Sequence, residues 1–152
     1  MYRPRRVLVV AHRTAASREL SDRLAELHAE EPCRFTLLMP AVIHGLHRVV
    51  DPEDQPLTET RTRLEAGLAV LRERLPDARV DGMIGSHDPL AAVEDAINAG
   101  DYDAVVISTL PARLSRWLHI DLPRKVAALG LPVTTVTPEA PASLGNRMRP
   151  RA

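Results

Sequence analysis

Short apolar runs and helical periods alternate along the chain. Val7 to Ala11 is a β-branched run of the kind that fits a strand buried on both faces. Leu20, Leu24 and Leu27 then recur at helical spacing up to Pro32. Cys33 to Met39, "CRFTLLM", reads as a second strand stopping at Pro40, and Ala41 to Pro56, with its prolines in "DPEDQP", reads as a loop. Leu64, Leu68, Leu71 and Leu75 share one face of the clearest helix, which Pro76 ends. Arg79 to Gly85 alternates in polarity and predicts an edge strand. In the next helix Asp88 is placed to cap, Pro89 suits the first position, Leu90, Val93 and Ile97 form the stripe, and Gly100 ends it. "DAVVIS" predicts a fourth strand, followed by a long segment without helix. Asp121 is then placed to cap a helix carrying Val126 and Leu129 that Gly130 terminates, and "PVTTVT" predicts a fifth strand.

Strand and helix in repeated alternation predict one α/β domain, a doubly wound five-stranded parallel sheet of Rossmann-like type with helices on both faces. In such a sheet ligands bind beyond the carboxyl ends of the strands, where the winding direction reverses. With strand one central and strand four beside it, two turns flank that crevice: "AHRT", Ala11 to Thr14, and the segment after Ser108. That segment raises the question of a phosphate site, because glycine-rich backbone lets N–H groups approach an anion closely. It has no glycine between Gly100 and Gly130.

The length of 152 residues suits a single domain with a real core. It divides into a basic segment 1–5, a folded body 6–138, and a Pro-rich basic tail 139–152 expected to be disordered. The formal net charge is zero, yet Arg3, Arg5, Arg6, Arg147, Arg149 and Arg151 sit at the two ends. Without them 14 basic residues face 20 acidic ones, so the body is negative and nucleic acid is not an expected partner. The single cysteine, Cys33, precludes an intramolecular disulfide, reads as a small buried hydrophobe, and fits a cytoplasmic location. No apolar stretch approaches the ~18 residues of a membrane span.

Other constellations have plainer readings. "HGLH", His44 to His47, offers two imidazoles at i and i+3, but a metal would need a third ligand from Asp51 or His87, and we read it as a loop with incidental histidines. Adjacent Ser86, His87 and Asp88 cannot form a triad, since chain neighbours point apart. Asp101 and Asp103 belong to the turn before strand four. Trp117 is read as an anchor, with Leu118, for the long segment, against the alternative of stacking over a ligand.

"RVLVVAHRTAASRELSDRLAEL", "GSHDPLAAVEDAINAGDYDAVVIST" and "LPVTTVTP" together resemble a universal stress protein domain, from about Arg6 to Pro138. The resemblance implies a homodimer built on the last strand and, in one branch of the family, an ATP site. That site has an Asp near the adenine after strand one and three spaced glycines, the last followed by Ser or Thr, after strand four. Here the Asp position falls on His12 and a nearby Ser position on Thr14, while the glycine positions fall near Ser108, Pro111 and Ile120 and the hydroxyl position on Asp121. Side chains at those positions hold N–H groups away from a phosphate, and the Asp121 carboxylate repels it by ~1 kcal/mol or more.

The resulting expectation is a non-enzymatic, homodimeric stress-response module of regulatory or protective role, with ATP binding weakened or lost and no resident cofactor or metal, working through protein partners. The alternative is a sensor of an adenine nucleotide such as ATP or AMP, or of a small anion. Its candidate binding residues are Ala11, His12, Arg13, Thr14, Ser108, Thr109, Arg113, Ser115 and Arg116. Arg113 and Arg116 are read first as solvated charges and second as side-chain anion ligands. A third reading, a small enzyme with His12 as general base, lacks an accompanying nucleophile or metal set.

Overall fold

The computed structural model describes residues 3–42 and 54–138. The His44 to His47 run, Asp51, most of the expected 41–56 loop and the expected tail 139–152 lie outside the described residues. Five strands form one parallel sheet in the order β3-β2-β1-β4-β5, with β1 Arg5–Val10, β2 Cys33–Pro40, β3 Arg79–Gly85, β4 Ala104–Ser108 and β5 Val133–Val136. The central strand β1 carries an unbroken apolar run: Val7 to Val10 are wholly buried, because helices cover both faces of the sheet. The alternating β3 is an edge, as its pattern predicts.

Helices α1 (Arg18–Glu30) and α2 (Asp54–Arg74) cover one face, where Leu20, Leu24, Leu64, Leu68 and Leu71 pack on Val7, Val9, Phe35 and Leu37. Helix α3 (Pro89–Ala99) covers the other with Ala92, Val93 and Ala96 against Leu8, Val10, Leu38 and Ile107. The alternation of Val7 to Val10 between the two clusters is the period of two expected of a strand. Asp88 caps α3 as predicted, its carboxylate accepting from the Leu90 N–H at 3.0 Å. Asp103 ties the start of β4 to β1: its Oδ2 accepts from the Arg6 N–H at 2.8 Å. Cys33 is buried, and burial pushes its thiol pKa up.

Four local expectations are corrected. Helix α2 begins at Asp54, inside the stretch read as loop. The long segment after β4 contains a helical turn, α4 (Arg116–His119), started by Ser115, whose Oγ accepts from the Leu118 N–H at 3.2 Å. Asp121 stands at the N-cap of α5 (Leu122–Ala127) without making a side-chain cap. Its backbone is left-handed, φ 57° and ψ 44°, which turns the carboxylate from the helix start, and Oδ2 accepts instead from Arg124 at 3.4 Å. Leu129 falls beyond α5, on the exposed turn to Gly130, whose φ of 100° suits glycine. No described helix is long and apolar enough to cross a membrane.

Candidate functional site

The chain leaves β1 and β4, neighbours in the sheet, toward opposite faces: β1 leads to α1 and β4 leads to α4 and α5. Where they part, a cavity of about 710 Å³ opens at the carboxyl ends of the strands, within the usual size of a small-molecule site. His12, Arg13 and Thr14 line it from the turn after β1, and Ser108 and Thr109 from the end of β4. Ser115 and Arg116 line it from the segment beyond, together with Leu114, Trp117 and Ile120.

Seven of the nine candidate residues thus meet at one cavity. The other two stand apart from its lining: Ala11 is wholly buried at the end of β1, and Arg113 is exposed on the loop. Sequence reasoning missed the opposite wall, made by Pro40, Ala41 and Val42 after β2 and by His87 and Pro89 at the start of α3. The rule that ligands sit beyond the carboxyl ends of strands, applied to β2 and β3 as well as to β1 and β4, reaches those residues.

The floor is a side-chain bond between the flanking turns. Thr14 Oγ1 and Ser108 Oγ lie 2.5 Å apart, both buried. Thr109 Oγ1 donates to the Leu110 carbonyl at 2.6 Å. His12 presents a different situation, because its Nε2 is buried and has no hydrogen-bond partner among the described residues. Burial, reinforced by the charges of Arg63 and Arg13 and opposed by Glu59, lowers its pKa to about 4, so the ring is neutral at ordinary pH. The Ser108 hydroxyl is bonded to Thr14, and no described hydroxyl is hydrogen-bonded to His12 Nε2. Trp117 packs against the core cluster of β4 and α3, as an anchor does, and it also lines the cavity.

Six backbone donors of the segment after β4 are spent within it. The N–H of Leu114 bonds the Pro111 carbonyl at 2.8 Å and that of Ser115 the Ala112 carbonyl at 3.4 Å. The Leu118 N–H goes to Ser115 Oγ. Those of His119, Ile120 and Asp121 go to the carbonyls of Ser115, Arg116 and Leu118. Six N–H groups are therefore committed before any ligand arrives. Among the described residues no group of three or more His, Cys, Asp or Glu is arranged to hold a metal.

Comparison with solved structures finds the same architecture. A universal stress protein from Archaeoglobus fulgidus superposes with a TM-score of 0.60 at 15% identity, over 87% of this chain and 93% of that one. The universal stress protein from the same organism in complex with dAMP gives 0.56 at 13% identity, over 90% and 98%. A universal stress protein in complex with cAMP gives 0.58 at 15% identity, over 87% and 96%. No protein-family model and no curated protein matches the sequence. At these identities the likeness establishes the fold, which is that of the universal stress proteins.

Proposed function

We propose, on the premise that the chain has the universal stress protein fold, that it is a divergent member of that family: a non-enzymatic, cytoplasmic regulatory module, homodimeric, whose crevice takes a small ligand without cradling the phosphates of ATP. The observation that carries this reading is the state of the segment after β4. At the positions matched to the family's glycines stand Ser108, Pro111 and Ile120. Ser108 is tied to Thr14, Ile120 walls the cavity, and the N–H groups of six nearby residues are bonded within the segment. A phosphate chain is cradled best by several free backbone donors in close array, and the six committed N–H groups are withdrawn from such a cradle.

Dimerisation is supported by the place of β5 at the end of the sheet, where one side of the strand has no pairing partner among the described residues and Val133 and Val136 are only half-buried. Native mass spectrometry of the purified protein tests both parts at once. The expected species is twice the 16.8 kDa chain, free of ATP even when ATP is added at micromolar concentration. A single-chain species removes the dimer, and stoichiometric retention of ATP removes the reading of the loop.

A second reading is favoured by the cavity itself and by the dAMP and cAMP complexes of proteins with this fold. A nucleoside monophosphate asks less of a phosphate cradle than ATP does, and Arg13 or Arg116 would supply its counter-charge. Calorimetric titration with AMP and cyclic AMP decides it: micromolar affinity for either establishes a nucleotide sensor, and millimolar or weaker binding excludes one.

A further inference from the structure

We propose that the crevice binds an organic anion with one charged end and an apolar body, of the class of medium-chain or arylalkyl carboxylates. The inference rests on the ligand-binding reading above and specifies its ligand.

Charge comes first. Arg13 and Arg116 line the cavity, and among its described lining residues none is acidic. Both arginines are exposed and neither is in an ion pair among the described residues, so each guanidinium retains its donor fork for a carboxylate. Among the described carboxylates, Glu59 acts on His12 without lining the cavity, Asp88, between His87 and Pro89, caps α3, and Asp121, beside Ile120, is engaged by Arg124.

The apolar surface points the same way. Four large hydrophobic residues of the described chain are exposed, and two of them, Leu114 at 51% and Ile120 at 41%, stand on this one cavity. Val42, Leu110 and Trp117 extend that apolar wall. A concave apolar surface with a few cationic groups recognises a ligand of matching make-up. A ribose and its phosphates would instead need many unspent polar partners. Here the hydroxyls of Thr14 and Ser108 bond each other, Thr109 and Ser115 bond backbone groups, and His12 Nε2 is the one buried side-chain atom lining the cavity that is left without a partner among the described residues.

Trp117 is the sole tryptophan and lines the cavity, so intrinsic fluorescence reads its occupancy directly. The probes are octanoate, its neutral amide octanamide, the cation octylammonium and AMP, which hold the apolar body constant while the charge changes and then replace the body. The expected result is saturable binding of octanoate at least tenfold tighter than octanamide, with octylammonium weaker still and AMP weaker than octanoate. The Arg13→Gln/Arg116→Gln double variant is expected to bring octanoate down to the affinity of octanamide and to leave octanamide unchanged. Because both residues are exposed and unpaired among the described residues, the variant is expected to fold as the parent does. Equal affinity for octanoate and octanamide, or an octanoate preference that survives the double variant, overturns the assigned class. AMP binding more tightly than octanoate also overturns it while leaving a ligand-binding crevice in place. No saturable response to any of the four overturns the ligand-binding reading as well.

Discussion

The bond between Thr14 and Ser108 joins residues 94 apart in sequence and closes the floor of the crevice, so its removal probes the site and the fold together. Ser108 is 1% exposed and Thr14 7%, and each hydroxyl has the other as its side-chain partner. Thr14→Val keeps the side-chain shape but strands the Ser108 hydroxyl away from water, and an orphaned buried hydroxyl costs about 1–3 kcal/mol. Ser108→Ala strands the slightly less buried Thr14 hydroxyl and is expected near the lower end of that range. The double variant leaves no orphan. Replacing both partners of a buried hydrogen bond by apolar groups is close to neutral, so it should lose about 1 kcal/mol or less. The signature is therefore non-additivity: a coupling of about 1–2 kcal/mol, with the double variant more stable than the sum of the singles. Urea unfolding of the four proteins measures it. Thermal midpoints check it independently, since about 2 kcal/mol lowers Tm by roughly 4–8 °C for a chain of this length. Strict additivity would refute the argument, because it would mean that each hydroxyl finds water or another partner when its mate is gone.

Four further outcomes follow from single contacts. The His12 pKa is lowered by folding to about 4, so between pH 6.5 and 4 the unfolded chain holds a proton that the folded chain lacks. Stability should fall as pH falls through that window, and His12→Gln should recover about 2 kcal/mol at pH 4.5 relative to its effect at pH 7; an equal effect at both values in chemical unfolding would contradict the burial of the ring. Gly85→Ala places a methyl 2.8 Å from Ala92 Cβ and 2.9 Å from Leu38 Cδ1, and the crowding between β3 and α3 is expected to destabilise by about 1–2 kcal/mol even after the gain in chain stiffness, so a more stable variant would count against the packing. Asp88→Ala removes the α3 cap and should cost about 1 kcal/mol in urea unfolding, with no loss if Pro89 alone fixes the helix start. Asp121→Gly releases a left-handed backbone at the expense of one exposed ion pair of little worth, and is expected to raise stability by about 0.5 kcal/mol; a clear loss would show that the Arg124 contact matters more than the strain.

The sheet and its main helices were legible because their periods differ. Val7 to Val10 and Ala104 to Ile107 are too uniformly apolar for anything but a strand covered on both faces, and Leu64, Leu68 and Leu71 mark one face of α2, with Leu75 just beyond its end. The carboxyl-end rule then found half of the cavity from two turns. What escaped depends on a few atoms rather than on a pattern. Helix α4 is four residues long and exists through the Ser115 cap, and a single turn has no periodicity to detect. The left-handed backbone at Asp121 decides whether that carboxylate caps α5, and an Asp reads the same in either conformation. The pKa of His12 depends on burial and on Arg63, 51 positions further along and brought close only by the packing of α2.

The position of the crevice and its chemistry have separate physical origins. Position comes from topology: adjacent parallel strands whose connections leave in opposite directions open a gap whatever the loops contain. Chemistry comes from how the loops use their donors. Each N–H that Ser115 and its neighbours commit to the α4 turn contributes about 0.5–1.5 kcal/mol to holding the segment in place, and the six together amount to several kcal/mol. That is comparable with the whole stability of a typical domain, so a phosphate cannot recruit those groups without undoing the segment that carries them. A single glycine at Ile120 would add room without freeing any of the six. On the proposed reading, recognition in this crevice falls to side chains, and those it presents at the loop are Arg116, Leu114, Trp117 and Ile120, one cation set in an apolar wall.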